Sequence, residues 1–330
     1  MKFRRLFEPN QKRFPIVVLI IVILFFILIN QITKFRPDHA FLALLVVALS
    51  LGKERSRRFL IDWSPLILFW IAYDMMRGVA DNIRGVIHVV APYHWEHALF
   101  ARFFGGEIPP FWCQDLQAWL GDGFSRRILD LLGANFYTLH FAIPVVIGWI
   151  FWHTMDDRKT FYRYFYTLTV LNVMALITFM VFPAAPPWFV YNYGFIQPPH
   201  TSFFGLSAGS LINVDKLFGT HFYATVWDSF NPNHFAAVPS LHGAYPVTSA
   251  IFLYHKFHRY PVALILYCAA AWASAVYLNQ HYLIDLIIGA GYVVVAYFFV
   301  NKILYPLVFA RFLEKETNTI RPITSPESQS

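Results

Sequence analysis

Two short stretches decide how this 330-residue chain folds: Pro-Ser-Leu-His-Gly at residues 239–243 and His-Tyr-Leu-Ile-Asp at residues 281–285. Between them lie an apolar segment, a short basic turn and a second apolar segment. His281 follows His242 by 39 residues, and a helix needs about 20 residues to cross a bilayer. That spacing predicts one helix across the membrane and a second helix back, which returns both histidines to the same side.

The second stretch also predicts a contact between a histidine and a carboxylate. Asp285 follows His281 by four residues, so on a helix the carboxylate lies one turn further along the same face and can reach the imidazole. Two imidazoles and a carboxylate at one boundary between water and lipid are typical of a catalytic pair with an orienting acid. His281, His242 and Asp285 are therefore the candidate catalytic residues.

The composition is that of a membrane protein. Hydrophobic residues make up 57% of the chain and charged residues 14%, whereas a soluble protein carries about 25% charged residues. The formal net charge is +7. The basic residues are distributed along the chain in the way that sets the orientation of a membrane protein, so we expect no nucleic-acid partner. Cys113 lies in a polar-face segment and Cys268 inside an apolar span, so we expect no disulfide framework.

Hydropathy predicts an all-α fold, a polytopic membrane helix bundle with about eight transmembrane helices. The first apolar run continues into further hydrophobic sequence instead of a cleavage site, so we expect it to remain as an anchor. Residues 82–134 predict one or two amphipathic helices in the membrane interface, one of them beginning at Pro109. The predicted spans cover residues 16–29, 39–51, 60–81, 135–154, 162–182, 243–257, 261–279 and 283–303.

The chain divides into N-terminal anchor spans at residues 1–60, a catalytic membrane domain at residues 61–304 and a flexible polar tail at residues 305–330. The loop at residues 183–242 opens with clustered prolines that must end a helix. We expect Trp188 in this loop to lie at the level of the lipid headgroups. A loop of this length without helical periodicity is typical of a lid or a binding surface.

The distribution of Lys and Arg predicts the orientation in the membrane. Most of them fall before the first span, in the turn at residues 53–58, in two further turns and in the tail. The positive-inside rule then places both termini in the cytoplasm. The side that carries His242 and His281 would face the periplasm, the cell exterior or the lumen of an organelle.

The candidate catalytic residues suit phosphoryl transfer. An imidazole can attack phosphorus and form a phosphohistidine, which divides one difficult displacement into two easier ones. Asp285 would hold His281 in the required tautomer, and His242 would protonate the leaving oxygen. We predict neither a metal ion nor a cofactor, and we expect membrane lipids as both donor and acceptor substrates.

The oxygens of a transferred phosphoryl group also need hydrogen-bond donors. Ser240 and the backbone around Gly243, at the predicted start of a helix, are candidate oxygen-binding groups. Arg77 and Arg84, at the outer end of the third predicted span, are the best cationic candidates for substrate binding.

The two stretches resemble the motifs of a known family. Pro-Ser-x-His, followed by Ser-x6-His-x3-Asp from Ser274 to Asp285, is similar to the second and third signatures of the type 2 phosphatidic acid phosphatase superfamily. The Phe-Pro-Ala-Ala-Pro-Pro-Trp turn at residues 182–188 resembles more closely its inositol phosphorylceramide synthase branch, the Aur-type inositolphosphotransferases. The resemblance covers about residues 181–300. It implies that His281 is the nucleophile, that His242 acts as acid and then as base, and that Ser274 lies in the substrate-binding motif.

The chain departs from the superfamily at two positions. The first signature, Lys-x6-Arg-Pro, is absent, and the arginine expected after Ser274 is Ala275. Both missing groups normally hold phosphate, and the synthase branch also lacks the arginine. The leading hypothesis is therefore a phosphotransferase that moves a phosphate headgroup, such as inositol phosphate, from a glycerophospholipid to a lipid hydroxyl such as that of ceramide.

Three other functions stay open. With water as acceptor, the same site would make a lipid phosphate phosphatase acting on phosphatidate or a polyprenyl diphosphate. The third predicted span, residues 60–81, carries several charged side chains, and Pro183 would break a helix. Both features would also suit a transporter or channel. Finally, His242, His281 and Asp285 would suit a metal-dependent hydrolase as ligands.

Other titratable residues have simpler explanations. We expect His140, inside the fourth predicted span, to be a hydrogen-bonded core residue. His94, Glu96 and His97 would suit a metal ion by spacing, but they lie in an aromatic outer segment.

Overall fold

The computed structural model describes residues 53–76, 85–198 and 206–309, with five isolated positions before residue 53. In these ranges the regular structure is helical, and the sheet-like pairing is confined to isolated bridges from Ala184 to His88 and to Ala236. The all-α prediction is confirmed. Arg77, Arg84 and nearly all of the first two predicted spans lie outside the described residues.

The helices follow the predicted order along the described chain. Their bounds are α1 Lys53–Met75, α2 Val90–Phe100, α3 Pro109–Leu120, α4 Phe124–Trp149, α5 Arg158–Val181, α6 Pro187–Tyr193, α7 Leu211–Phe218, α8 Phe222–Phe230, α9 Leu241–Phe257, α10 Pro261–Tyr277 and α11 Leu283–Phe299. A π-helical segment extends α4 to Thr154, and another extends α11 to Phe309. Pro109 lies in the first turn of α3, as predicted.

Three helical segments in the described ranges are long and apolar enough to cross a membrane by length and composition, Phe124–Thr154, Arg158–Val181 and Leu283–Leu307. They correspond to the fourth, fifth and eighth predicted spans and make this a membrane protein. The helices α9 and α10 have 17 residues each, which is short for a span. The predicted number of eight transmembrane helices is therefore not confirmed.

The helix α4 begins at Phe124, well before the predicted start of the fourth span at residue 135. The prediction failed because charged residues in the first turns lower the local hydropathy. These charges are paired within the fold: Arg126 Nε donates to both oxygens of Asp130 at 2.9 Å. The hydroxyl of Tyr277 donates to Asp130 Oδ1 at 2.6 Å, so the helix continues through this polar cluster.

The loop at residues 183–242 contains the three short helices α6, α7 and α8. They were not predicted, because the sequence of this loop shows no helical periodicity. Asp215 stabilises the start of α8, because its carboxylate accepts from the backbone N–H groups of Tyr223 at 3.0 Å and Ala224 at 2.8 Å. Trp188 in α6 is only 1% exposed. Its backbone N–H donates to Asn279 O at 3.0 Å, so α6 packs against the turn that precedes α11. The level of Trp188 relative to the lipid headgroups stays a prediction.

The helices α9 and α11 approach each other closely at the ends that carry the two signature stretches. A Cβ atom on Gly243 would lie 2.7 Å from Leu286 Cα, and one on Gly289 would lie 2.2 Å from Ser240 O. The backbone N–H of Ser240 also donates to Asp285 O at 3.1 Å. Glycine is required at both positions because any side chain would push the helices apart.

Replacing Gly289 with Ala is expected to destabilise the protein by about 1–3 kcal/mol, because the added methyl group overlaps the backbone of Ser240. Gly291, two residues along the same helix, is the matched control, since a Cβ atom there has no neighbour within 4 Å. Thermal unfolding in detergent micelles measures both variants. A Gly289→Ala melting temperature equal to that of Gly291→Ala would contradict this account of the helix contact.

Candidate active site

The structure brings the two signature histidines together. His242 lies in the first turn of α9, and His281 lies in the turn that precedes α11. His281 Nε2 and His242 Nδ1 are 3.0 Å apart, within hydrogen-bonding distance. The predicted juxtaposition is confirmed. Both side chains are nearly enclosed, with exposures of 6% for His281 and 8% for His242.

Asp285 reaches His281 in a different way from the one predicted. The helix α11 begins at Leu283, so His281 is not on a helix but in a turn that includes Asn279 at a φ of 59°. Asp285 lies in the first turn of α11, and its side chain folds back. Its Oδ2 accepts from the backbone N–H of Tyr282 at 3.1 Å and lies 3.5 Å from His281 Nδ1.

The two contacts are consistent with one assignment of the protons. With the proton of His281 on Nδ1, toward Asp285 Oδ2 at 3.5 Å, Nε2 keeps a lone pair toward His242 Nδ1–H. Burial lowers the pKa of the His281 imidazole to about 3, because desolvation disfavours the charged ring. At neutral pH, His281 is therefore uncharged, the state in which an imidazole can act as a nucleophile.

A second buried carboxylate holds the start of α11. Glu96 on α2 is fully buried, and its two oxygens accept from the backbone N–H groups of Leu283 at 2.8 Å and Ile284 at 2.9 Å. Negative charge at a helix N-terminus is favourable. Burial raises the pKa of Glu96 to about 7, and the nearby Asp285 carboxylate adds to the increase, although the two backbone N–H groups act against it. Glu96 thus positions the segment that carries His281 and Asp285.

Two residues of α4 enclose the ring of His242. Tyr137 lies parallel to it, with ring centroids 4.0 Å apart, and His140 lies against it with centroids 3.5 Å apart. His140 Nδ1 donates to Tyr137 O at 2.6 Å, so the prediction of a hydrogen-bonded core residue is confirmed. The contact of His140 with His242 was not predicted, because it joins residues more than 100 positions apart.

A cavity of about 70 Å³ opens at the histidine pair. A larger cavity of about 360 Å³, walled by apolar side chains of α1, α4 and α8, adjoins it. Five residues line both cavities: Trp70, His140, Phe141, Trp227 and Phe230. The reactive groups therefore lie next to a space that suits hydrocarbon.

Three of the candidate substrate-binding residues have structural contacts. The hydroxyl of Ser240 accepts from Gly243 N at 3.2 Å and caps α9, and that of Ser274 donates to Ala270 O at 2.7 Å. None of Ser240, Gly243 and Ser274 lines the cavity at the histidine pair. Substrate binding by these residues, and by Arg77 and Arg84 outside the described ranges, stays a prediction.

The cavity walls carry no lysine or arginine among the residues that the structure describes. In the same ranges, no group of three or more His, Cys, Asp or Glu side chains is arranged to hold a metal ion. The spacing of His94, Glu96 and His97 does not produce such a site, because Glu96 faces inward and bonds the start of α11.

Residues 112–299 of this chain match the family described as the PAP2 superfamily. The chain belongs to the PAP2 superfamily. The matched region of this PAP2 protein runs from α3 to the end of α11, so it includes His242, His281 and Asp285.

Relatives of this PAP2 protein carry related names. The phosphoinositol dihydroceramide synthase of Bacteroides thetaiotaomicron is 29% identical over 294 residues, which are 88% of this chain and 92% of the relative. The inositol phosphorylceramide synthase of Candida albicans is 33% identical over 201 residues, 60% of this chain and 41% of the relative. The catalytic subunit of the Schizosaccharomyces pombe inositol phosphorylceramide synthase is 31% identical over 183 residues, 55% of this chain and 42% of the relative.

These matches confirm the resemblance to the superfamily and to its inositol phosphorylceramide synthase branch. The PAP2 protein is an enzyme, a lipid phosphotransferase of that superfamily. It spans less than half the length of the two fungal relatives. No solved structure matches the chain significantly.

Replacing Glu96 with Gln is expected to flatten the pH dependence of stability. The pKa of Glu96 is about 7 in the folded protein, above its value in an unfolded chain, so the folded state binds the extra proton. The free energy of unfolding therefore falls as the pH rises through about 7. In the Glu96→Gln variant no group titrates at this position, so this part of the fall in the free energy of unfolding disappears.

Melting temperatures of the wild type and of Glu96→Gln, measured from about pH 5 to pH 8, check this prediction. Glu107→Gln is the control, because Glu107 is exposed and should leave the wild-type slope unchanged. A Glu96→Gln profile parallel to that of the wild type would show that Glu96 does not titrate in this range.

Proposed function

We propose that this PAP2 enzyme transfers a phosphate headgroup between lipids through a phosphohistidine. The donor is a glycerophospholipid such as phosphatidylinositol, and the acceptor is the hydroxyl of a lipid such as ceramide. The observation that carries the proposal is the pairing of His281 Nε2 with His242 Nδ1 at 3.0 Å, with Asp285 behind His281. The names of the relatives, which refer to phosphoinositol, ceramide and dihydroceramide, support this substrate class.

The first step is the capture of the headgroup phosphate. The lone pair on His281 Nε2 attacks phosphorus, while Asp285 stabilises the positive charge that develops on the ring through Nδ1–H. The bond between phosphorus and the diacylglycerol oxygen breaks, and His242 donates a proton to that oxygen. Diacylglycerol leaves, and the headgroup phosphate remains on His281.

The second step hands the group to the acceptor. His242, now without its proton, accepts one from the acceptor hydroxyl, whose oxygen attacks phosphorus. The phosphorus–nitrogen bond breaks, and the electron pair returns to His281. The enzyme is regenerated, and the product is a new phosphodiester on the acceptor lipid.

The distance between the two histidines implies a movement on substrate binding. A nucleophile and phosphorus approach to about 3–3.5 Å before reaction, and the leaving oxygen must lie between phosphorus and His242. A separation of 3.0 Å between the two nitrogens is too small for phosphorus and the leaving oxygen to fit between them. The hydrogen bond between the histidines is therefore a resting arrangement, which the phosphate replaces when one ring turns aside.

The surroundings of the histidine pair suit a lipid more than a soluble phosphate ester. The apolar cavity of about 360 Å³ shares five lining residues with the reactive cavity, so a hydrocarbon chain can lie beside the reacting phosphorus. The distribution of Lys and Arg supports cytoplasmic termini and a site on the opposite side of the membrane. We assign catalysis to residues 61–304, with Arg77 and Arg84 as further phosphate ligands.

Replacing His281 with Ala is expected to abolish both the covalent intermediate and the transfer. Purified enzyme is mixed with phosphatidylinositol labelled at phosphorus, denatured in alkali, which preserves phosphohistidine, and examined for label on the protein. The His242→Ala variant should lose roughly 10²–10⁴-fold in turnover rate, because proton transfer contributes that much to such reactions.

His255→Ala is the matched control, since His255 is exposed at the far end of α9 and bonds only Tyr297 among the described residues. It should form the labelled protein and the lipid product as the wild type does. Wild-type turnover or labelled protein in the His281→Ala variant would refute the phosphohistidine mechanism.

The acceptor decides between transfer and hydrolysis. With labelled phosphatidylinositol and ceramide in mixed micelles, the wild-type enzyme should convert the label into a new lipid product. Release of the label as water-soluble inositol phosphate, unchanged by added ceramide, would instead identify the enzyme as a hydrolase.

A further inference from the structure

The side-chain amide of Asn233 lies in the wall of the reactive cavity, together with His242 and His281. It is 3% exposed. Its Oδ1 accepts from the backbone N–H of Phe235 at 3.1 Å. Because only the oxygen of an amide can accept from an N–H group, this bond fixes which end of the side chain is which. The NH₂ group must point away from Phe235.

The amide nitrogen of Asn233 is buried and has no hydrogen-bond partner among the described residues. Buried donors in proteins are nearly always paired, because an unpaired donor costs free energy. By contrast, the nearby Gln280 amide donates to Ser207 O at 3.0 Å and is already used. An unpaired donor in the wall of a reactive cavity indicates a group that bonds a ligand.

The segment that carries Asn233 is held in place by backbone bonds. Phe235 O accepts from Ala184 N at 2.8 Å, and Ala237 N donates to Ala184 O at 3.3 Å. The same segment leads directly into α9 and His242. Donors held in position before the substrate arrives stabilise developing charge best, because no reorganisation is needed during the reaction.

We propose that the Asn233 amide donates a hydrogen bond to a non-bridging oxygen of the phosphodiester that is transferred, and so holds the phosphorus at the histidine pair. The inference rests on the proposed function and adds a substrate-contacting residue to it. A phosphodiester carries a single negative charge, so a neutral amide can bind one of its oxygens without the full set of cations that a doubly charged monoester requires.

Three variants separate this role from a purely structural one. In Asn233→Asp the carboxylate can still accept from Phe235 N but cannot donate, and it repels the phosphate. In Asn233→Ser the hydroxyl can still accept from Phe235 N, but it is too short to replace the amide donor. Asn135→Ala is the matched control, because the exposed Asn135 amide bonds only Leu131 O of its own helix among the described residues.

The measurements are kcat and KM for transfer from labelled phosphatidylinositol to ceramide, inhibition by vanadate, and thermal unfolding. Rates are expressed per folded, monodisperse protein. We expect both Asn233 variants to lose about 100-fold in kcat, as when a single oxyanion donor is removed. Vanadate, which mimics the five-coordinate phosphorus, should bind them more weakly by a similar factor. Asn135→Ala should match the wild type.

The outcomes distinguish this inference from the function on which it rests. If the wild type transfers phosphorus and both Asn233 variants keep its kcat and its vanadate affinity, Asn233 does not bind the phosphoryl group. A lower melting temperature with unchanged kcat per folded protein would likewise overturn the inference and leave only a structural role. If the wild type transfers no phosphorus at all, the proposed function fails, whatever the variants do.

Discussion

The close contact between α9 and α11 is the constraint on which the site depends. The two helices begin side by side, and glycine at positions 243 and 289 lets their backbones meet. The bond from Ser240 N to Asp285 O joins the two signature stretches directly. With the helix starts held in this way, His242 and His281 face each other across 3.0 Å, and a wider helix separation would break that pairing.

Carboxylates then secure the start of α11, the helix that directly follows the proposed nucleophile His281. Asp285 caps α11 from within, and Glu96 caps it from α2, so two buried acids meet the positive end of a single helix. The turn before α11 is held from other directions as well. Gln117 Nε2 donates to Tyr277 O at 2.6 Å, and Ser210 N donates to Leu278 O at 3.1 Å. The residues between the spans thus form the support of the site.

The segments between the long apolar helices were harder to predict than those helices. The helices of residues 183–242 are short and amphipathic over few turns, so their periodicity is weak, and they are stabilised by contacts such as the Asp215 cap. The start of α4 was missed for a related reason. Hydropathy treats Arg126 and Asp130 as isolated charges, although in the folded protein they neutralise each other and bond Tyr277.

The sequence alone determined the helical class, the superfamily and the meeting of His242 with His281. These follow from composition, from apolar segments of a given length and from motif spacing, all of which are properties of local sequence. Only the tertiary structure decided that Glu96 and Asn233 belong to the site. Glu96 contacts Leu283 across 187 positions, and the Asn233 amide is recognised by its burial and its missing partner. Neither property leaves a periodic or local pattern, because each arises only when distant segments pack together.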